Sequence, residues 1–527
     1  MSPNNRPSLG KTFSIVALLT IVSKIVGLLR DVVVAAAYGT TVLADAYNYA
    51  YLFTGNILIL FGGLGGPFHS ATVTTLEPRK NDPEAGFLIV QVTCLTALLL
   101  SVATILLILA APLVMHLVAG GYGHDDLERA HFFREAIAQL RTMSPLILIA
   151  GLIGISYGVL NVYHKIFWPS ISPAIASFAI IIALLLFPNK ESSMPLAIGT
   201  MIGAFGQLFA QVPQLFTCGL KYRFSTSAVK GLNNFFSVLW PVFIGTSIGQ
   251  IIIYVDTYFC AGIGEGAWTA VVNANRLVQL PLGVLITAML VPVLPRFTEH
   301  ASVGDLVSLK NEFRRSLSFL TFLALPLTAV LIVLPQPIVK LLFQRGAFDA
   351  NSTNLVTAAL IYLVPSITFY IGRDLITRVF YGLQDSRTPF LVATGAIFVK
   401  VLLDYLFVIV IKLGVGGISL ATSLITVFNL TLLAVLLRGR IGSLGLTQLF
   451  APLAIMLIAS SLSGLVVYFS FTQLTQLWVS MSLFPLIVKI GLATTTGGLV
   501  YFALCAIFGL NEPKMLVERL IRKARPS

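Results

Sequence analysis

Twelve charged side chains fall inside stretches otherwise suited to lipid: Lys24, Arg30, Asp31, Asp45, Asp256, Arg276, Arg373, Asp374, Arg378, Lys400, Asp404 and Lys489. A charge near the bilayer centre costs at least about 2.5–3.5 kcal/mol on insertion scales. Groups that carry such a cost face a polar cavity or a partner, and a polar cavity inside a membrane bundle is usually a path for cargo. Arginine suits phosphate, because its planar fork donates two parallel hydrogen bonds. Lys24, Arg30 and Arg276 therefore point to an anionic cargo. The competing reading for Arg30 is an ion pair with a neighbouring acid near a span end, and for Arg276 a helix cap. Lys400 and Asp404 stand four apart and share one helical face. Cys94, Cys218, Cys260 and Cys505 lie singly in apolar runs, and the six His are scattered, so neither a disulfide framework nor a metal site is expected.

These residues must be positioned by membrane-spanning helices. The chain is 57% hydrophobic and 10% charged, with mean hydropathy +0.91, whereas soluble domains carry about 25% charged residues. The first apolar segment holds Lys24 and Arg30 and is too long for the core of a cleaved signal peptide. About fourteen segments are long enough to cross a bilayer. They lie near 13–36, 41–66, 87–118, 136–161, 168–188, 194–217, 234–262, 267–293, 316–334, 354–382, 388–411, 415–437, 447–470 and 484–509. With both termini in the cytoplasm, the inside segments hold about twenty Lys and Arg and the outside loops about six, the expected bias. The formal charge of +13 is thus mostly topology, and no soluble basic domain exists to bind nucleic acid. Loops 219–235 and 296–315 read as amphipathic helices at headgroup level. The tail 511–527 reads as a short basic surface helix for which anionic membrane lipid is sufficient partner.

Two segments about 220 residues apart resemble each other. Tyr157-Gly158-Val159-Leu160-Asn161 precedes a basic turn and Pro169; Tyr381-Gly382-Leu383-Gln384-Asp385 precedes a basic turn and Pro389. Duplicated halves are common in transporters. The expected architecture is an all-α polytopic bundle: an N-terminal lobe over 1–217 (helices 1–6), a C-terminal lobe over 218–440 (helices 7–12), and 441–527 with helices 13–14 and the basic tail. Two six-helix lobes would enclose a V-shaped cavity. The first span of a lobe usually lines that cavity, and spans 1 and 8 bring the three cations.

SKIVGLLRDVVVAAAYGTTVLADAYNYAY (23–51), ANRLVQLPLGVL (274–285) and FYGLQDSRTP (380–389) resemble, in the right order, three motifs of the MurJ (MviN) family. The resemblance implies the fold of the multidrug/oligosaccharidyl-lipid/polysaccharide exporter superfamily. It also implies an activity: flipping lipid II, the undecaprenyl-pyrophosphate-linked peptidoglycan precursor, across the bacterial inner membrane. Arg30 and Arg276 match family arginines thought to meet the pyrophosphate, Lys24 stands where the family has Arg, Asp45 matches its second-span Asp, and Asp31 its paired acid. Helices 13 and 14 would hold the lipid tail, with Gly464, Gly491, Gly497 and Gly498 as close-approach residues and Lys489 as a polar entrance. The chain departs from the family pattern at 55–70, which has neither Arg nor Glu, and at Gln279, where the family often has an acid. Some members hold Na⁺ with two acids and an Asn; Asp256 and Asp404 match the acids, but Lys400 replaces the Asn. The implied result is a charge cluster of Asp256, Lys400 and Asp404 in place of an ion site, a purely structural buried triad being the alternative.

The functional expectation is a lipid II flippase in cell-wall biogenesis, working by alternating access, with no covalent step and no cofactor. Lipid II and membrane lipids are the expected partners, and cell-wall synthesis proteins are further candidates. The alternatives are a flippase for another polyprenyl-linked glycan, a drug/cation antiporter of the same superfamily, or a membrane-embedded glycan transferase. The antiporter would have twelve spans and an acidic cavity, and the transferase would need a catalytic loop that the short outer loops do not offer.

Overall fold

A computed structural model describes the chain except residues 1–8, 64, 124, 166, 190, 224–230, 286–292, 479, 481 and 525–527. The described residues are helical throughout, joined by short turns. They form two compact units: 1–269 with 345–349, and 270–344 with 350–527.

The first unit holds α1 (Leu9–Tyr38), α2 (Val42–Leu52), α3 (Gly55–Gly62), α4 (Pro67–Leu76), α5 (Ala85–Ala119), α6 (Asp126–Met143), α7 (Leu146–Val162), α8 (Phe167–Leu186), α9 (Met194–Phe209), α10 (Val212–Phe216), α11 (Leu232–Ile248) and α12 (Ile251–Ala261). The next helix, α13 (Ala267–Leu285), begins in this unit and continues in the second from Ala270. Phe61, Phe68, Val92 and Leu100 pack with Phe235 and Leu239 of α11 in one core. Gly199 and Gly203 let α9 approach α8 closely: a Cβ at Gly203 would lie 2.7 Å from the Ala176 Cα. Small-residue stripes of this kind drive helix association where lipid removes the hydrophobic difference between inside and outside.

The second unit continues with α14 (Val293–Ser302), α15 (Leu306–Val333), α16 (Pro335–Phe343), α17 (Ala350–Leu363), α18 (Ser366–Gly382), α19 (Arg387–Asp404), α20 (Val415–Ile441), α21 (Thr447–Leu477), α22 (Leu483–Ile507) and α23 (Asn511–Ala524). A π-helical turn, Tyr405–Val410, extends α19. α22 buries one stripe, Pro485, Lys489, Ala493, Gly497, Tyr501 and Cys505, four residues apart as a helix face requires. Phe322, Met456, Tyr501 and Cys505 share a core, and the Tyr501 hydroxyl donates to the Phe322 carbonyl at 2.9 Å. The C-terminal helix pair is thereby packed on α15.

Among the described residues, eleven helical runs are long and apolar enough to cross a membrane, and twelve if the bent pair α17–α18 counts as one span. The expected count was fourteen. Several spans differ from their sequence outline. The second, expected at 41–66, is a run from Val42 to Arg79, broken into α2, α3 and α4. The breaks follow from Thr54, whose hydroxyl donates back to the Ala50 carbonyl at 3.0 Å, and from the glycines before Pro67, which starts α4. α17 and α18 bend by 45° at Val364-Pro365, because proline cannot supply the helical hydrogen bond. Loop 296–315 is not one amphipathic helix. α14 ends at Ser302, and Asp305 caps α15 by accepting from the Ser308 N–H at 2.9 Å. In loop 219–235, residues 219–223 are not helical, 224–230 lie outside the described residues, and α11 starts at Leu232. The tail helix is present as α23.

The internal repeat has a register the sequence alignment missed by one turn. α7 ends at Val162 and α18 at Gly382, each followed by a residue in the left-handed region, His164 (φ 58°) and Gln384 (φ 60°). Both ends close with the same helix-stop bond: Lys165 N–H to Leu160 O at 2.7 Å, and Asp385 N–H to Phe380 O at 2.9 Å. An offset of 220 carries Leu146–Val162 onto Ser366–Gly382 and Phe167 onto Arg387, where α8 and α19 begin. The aligned tyrosines, Tyr157 and Tyr381, are 224 apart, so that pairing slides one turn along the helix. The D-x-x-T-P portion of the 380–389 motif has a local purpose. Asp385 accepts from the Thr388 N–H (3.0 Å) and hydroxyl (2.7 Å) at the start of α19 and pairs with Arg440 of α20.

Candidate functional site

In the C-terminal third of α1, Arg30 turns one edge of its guanidinium onto Asp31. Nε and Nη2 both donate to Asp31 Oδ1, at 3.0 and 2.7 Å. The Arg30 side chain is 22% exposed and Asp31 9%. Nη1 makes no hydrogen bond to the described residues, so the guanidinium is oriented by the acid and keeps donors for a ligand. Lys24 is exposed, two turns earlier on the same helix. The open side of α1 is evident at Gly27, where an added Cβ would meet nothing within 4 Å.

Asp45 is occupied differently. It is fully buried and accepts four hydrogen bonds: Tyr122 Oη at 2.9 Å, Gly266 N–H at 2.7 Å, Thr269 N–H at 2.9 Å and Thr269 Oγ1 at 2.7 Å. Three of these four bonds come from Gly266 and Thr269 at the start of α13, so Asp45 caps that helix from α2. The arrangement is reciprocal, since Glu265, just before α13, accepts from the Val42 N–H that opens α2 at 3.0 Å. Two helix N-termini meeting this closely would repel through their partial positive charges, and the two carboxylates neutralise both. Asn48 Nδ2 ties to Thr269 Oγ1 at 2.9 Å and Tyr49 Oη to the Thr257 carbonyl at 2.9 Å. Gly266 takes φ +77°, and a Cβ there would lie 2.3 Å from the Thr40 carbonyl oxygen. With both oxygens engaged and no exposure, Asp45 joins two helices in this structure and presents no free oxygen. The sequence had grouped it with the substrate-binding residues. Glu265, Tyr122 and Thr269 are partners that sequence reasoning missed; no local spacing connects residue 45 to residues 265–269.

Arg276 lies half-buried on α13, with Nη1 3.5 Å from Asn273 Oδ1 one turn earlier. In the second unit Lys400 and Asp404 are both fully buried and paired, Nζ to Oδ1 at 2.5 Å, with the Ile418 carbonyl 3.5 Å from Nζ. The π-helical turn follows Asp404 directly; such turns often mark functional positions. Asp256 is a buried residue of α12 in the first unit. No group of three or more His, Cys, Asp or Glu suited to a metal occurs among the described residues.

The lipid-tail residues divide. Gly497 is closed, since a Cβ would lie 2.3 Å from Val467 Cγ2; Gly464 faces Val333 and Ala329 of α15; Gly491 and Gly498 open onto free space. Lys489 is fully buried and donates to the Ser480 carbonyl at 2.9 Å. Its ammonium is therefore engaged by the backbone of Ser480, between α21 and α22.

The chain matches the family profile described as "Lipid II flippase MurJ" over residues 34–489. It is 33% identical over 540 positions to a probable lipid II flippase MurJ of Synechocystis sp., covering 99% of both chains. It is 27% identical to the lipid II flippase MurJ of Burkholderia cenocepacia, over 80% of this chain and 82% of that one. A solved structure of a lipid II flippase MurJ, in an inward closed conformation, has the same fold, with a TM-score of 0.75 and 24% identity over 94% of this chain and 98% of that one. An inward-facing MATE family transporter of the MOP superfamily shares the fold more distantly, with a TM-score of 0.63 and 15% identity over 82% and 98%. By a profile match over most of its length and a relative aligned end to end, the chain belongs to the lipid II flippase MurJ family.

Proposed function

We propose that this protein flips lipid II across the bacterial inner membrane by alternating access, with both termini in the cytoplasm. The observation that carries the site assignment is Arg30, held by Asp31 along one edge with Nη1 left to donate. A fixed guanidinium binds a phosphoryl oxygen with little loss of side-chain freedom. Lys24 and Arg276 supply the further positive charge that a pyrophosphate requires, and Asp31 acts by orienting Arg30. No bond of the cargo is made or broken, so the residues bind, neutralise and release. Asp256, with Lys400 and Asp404, acts as a charge set that substitutes for a bound cation. The membrane potential supplies the drive: moving one charge through 100 mV is worth about 2.3 kcal/mol.

The test is complementation of cells depleted of their lipid II flippase. Arg30→Ala and Arg276→Ala are expected to abolish growth at normal membrane levels, and Lys24→Arg to outperform Lys24→Gln. Normal growth with Arg30→Ala would remove the phosphate-binding role of α1.

A further inference from the structure

A cavity of about 580 Å³ opens at the foot of the second unit, where the starts of α15, α21 and α23 meet. Its volume lies within the range of small-molecule sites, about 300–1,000 Å³. Its lining includes Arg314 and Arg315 from α15, Lys514 from α23, and the apolar Leu449, Pro452 and Met515. Arg314 is held in place by hydrogen bonds to Gln448 and Asn311. Among the described residues, Arg315 hydrogen-bonds to the Met515 sulfur alone, at 3.7 Å. None of the three cations forms an ion pair among the described residues. Of the two acids present, Glu512 is buried and bonded to the Ser318 hydroxyl, which ties α23 to α15. Glu518 lies exposed on the rim.

The level of this cavity in the membrane follows from the helices that form it. α15 is polar up to Arg315 and apolar beyond it; α21 begins at Thr447 and α22 ends at Ile507, just before α23. All three cations therefore sit where hydrocarbon gives way to headgroups. Cations above an apolar wall match an amphiphile whose anionic group and acyl chains lie in the same order. Basic pockets between spanning helices are a recognised mode of phospholipid headgroup binding.

We propose that this cavity binds the phosphodiester of an anionic membrane phospholipid, with Arg315 and Lys514 as its ligands and Arg314 as the fixed cation behind them. The site lies on α15, α21 and α23 and is independent of the cargo assignment made for α1 and α13.

The test uses the full-length protein in neutral detergent and a fluorescent short-chain phosphatidylglycerol. Saturable binding is expected, weakened at least tenfold in Arg315→Gln/Lys514→Gln. Both residues are exposed, and the variant should keep the parent's gel-filtration profile. Leu449→Trp, which fills the cavity without changing charge, should weaken binding similarly. The phosphatidylcholine analogue should bind at least tenfold more weakly. Parental affinity in both variants would overturn the proposal. Displacement of the probe by millimolar inorganic phosphate would overturn the lipid assignment and make this a free-anion site.

Discussion

Lys400 and Asp404 show how much a single buried residue can carry. Both are fully buried and 2.5 Å apart, so the pair exists only while both charges do. Removing one partner of such a pair typically costs about 3–5 kcal/mol, because the other is left as an uncompensated buried charge, whereas replacing both by apolar groups can be neutral. Lys400→Met should therefore lower the thermal unfolding midpoint in detergent sharply, and Lys400→Met/Asp404→Leu should recover most of it. Lys400→Asn should respond to NaCl where the parent does not. Equal midpoints in sodium and choline chloride for Lys400→Asn would show that the ammonium does not stand in for a cation. Arg30 differs in kind. Its pair with Asp31 is partly exposed, and Asp31→Asn should lower transport activity more than stability, since it frees the guanidinium to swing.

At the scale of elements, the joint between α2 and α13 is the most exacting feature of the first unit. Asp45 satisfies the backbone N–H of Thr269 in α13 and of Gly266 just before it, as well as the hydroxyls of Tyr122 and Thr269. Hydrogen bonds to a charged group are worth about 1.5–3 kcal/mol each, and stranding a buried donor costs about 1–3 kcal/mol. Asp45→Asn keeps the shape but turns one acceptor into a donor facing donors. It is expected to destabilise the protein by several kcal/mol (roughly 2–4), read as a lowered unfolding midpoint. Glu265→Gln removes the negative charge but keeps an oxygen that can accept from the Val42 N–H at this exposed position, and should cost well under half as much. A larger effect for Glu265→Gln than for Asp45→Asn would show that the joint is organised around α2 and not α13. The same element scale explains the broken second span: Thr54 and the glycines before Pro67 interrupt what hydropathy alone reads as continuous.

For the whole molecule, the C-terminal helix pair is integral to the second unit. The Tyr501–Phe322 hydrogen bond and the core shared by α15, α21 and α22 mean that deleting residues 447–510 would expose apolar packing surface, so truncation confounds stability with transport. Point changes at open positions avoid this. Gly491→Leu and Gly498→Leu add bulk where nothing lies within 4 Å. If the tail of the cargo runs along this face, both should slow flipping of a long-chain lipid in proteoliposomes and leave the unfolding midpoint within a degree or two of the parent. Unchanged flipping in the double variant would dissociate these glycines from the lipid path.

The all-helical, membrane-type character, the outline of most spans, the cationic character of α1 and the pairing of Lys400 with Asp404 were legible in the sequence. Each depends on local composition or on spacing along one helix, and the bilayer imposes length and polarity on every span alike. Family membership was legible for the same reason, since its motifs are short and contiguous. What the chain does at long range was not. Asp45 looked like a cavity acid because a carboxylate in an apolar span signals function; only the fold brings Gly266 and Thr269 to it and turns it into a cap. Lys489 looked like a polar entrance, and only the fold shows it buried and donating to the Ser480 carbonyl. The register of the internal repeat was visible to within one helical turn, and the two matching helix stops at His164 and Gln384 fixed it. Hydropathy measures what a residue prefers to be near. Which polar partner it finds is settled by the folded chain, because hydrogen-bond geometry is satisfied over ångströms in space and not over positions in sequence.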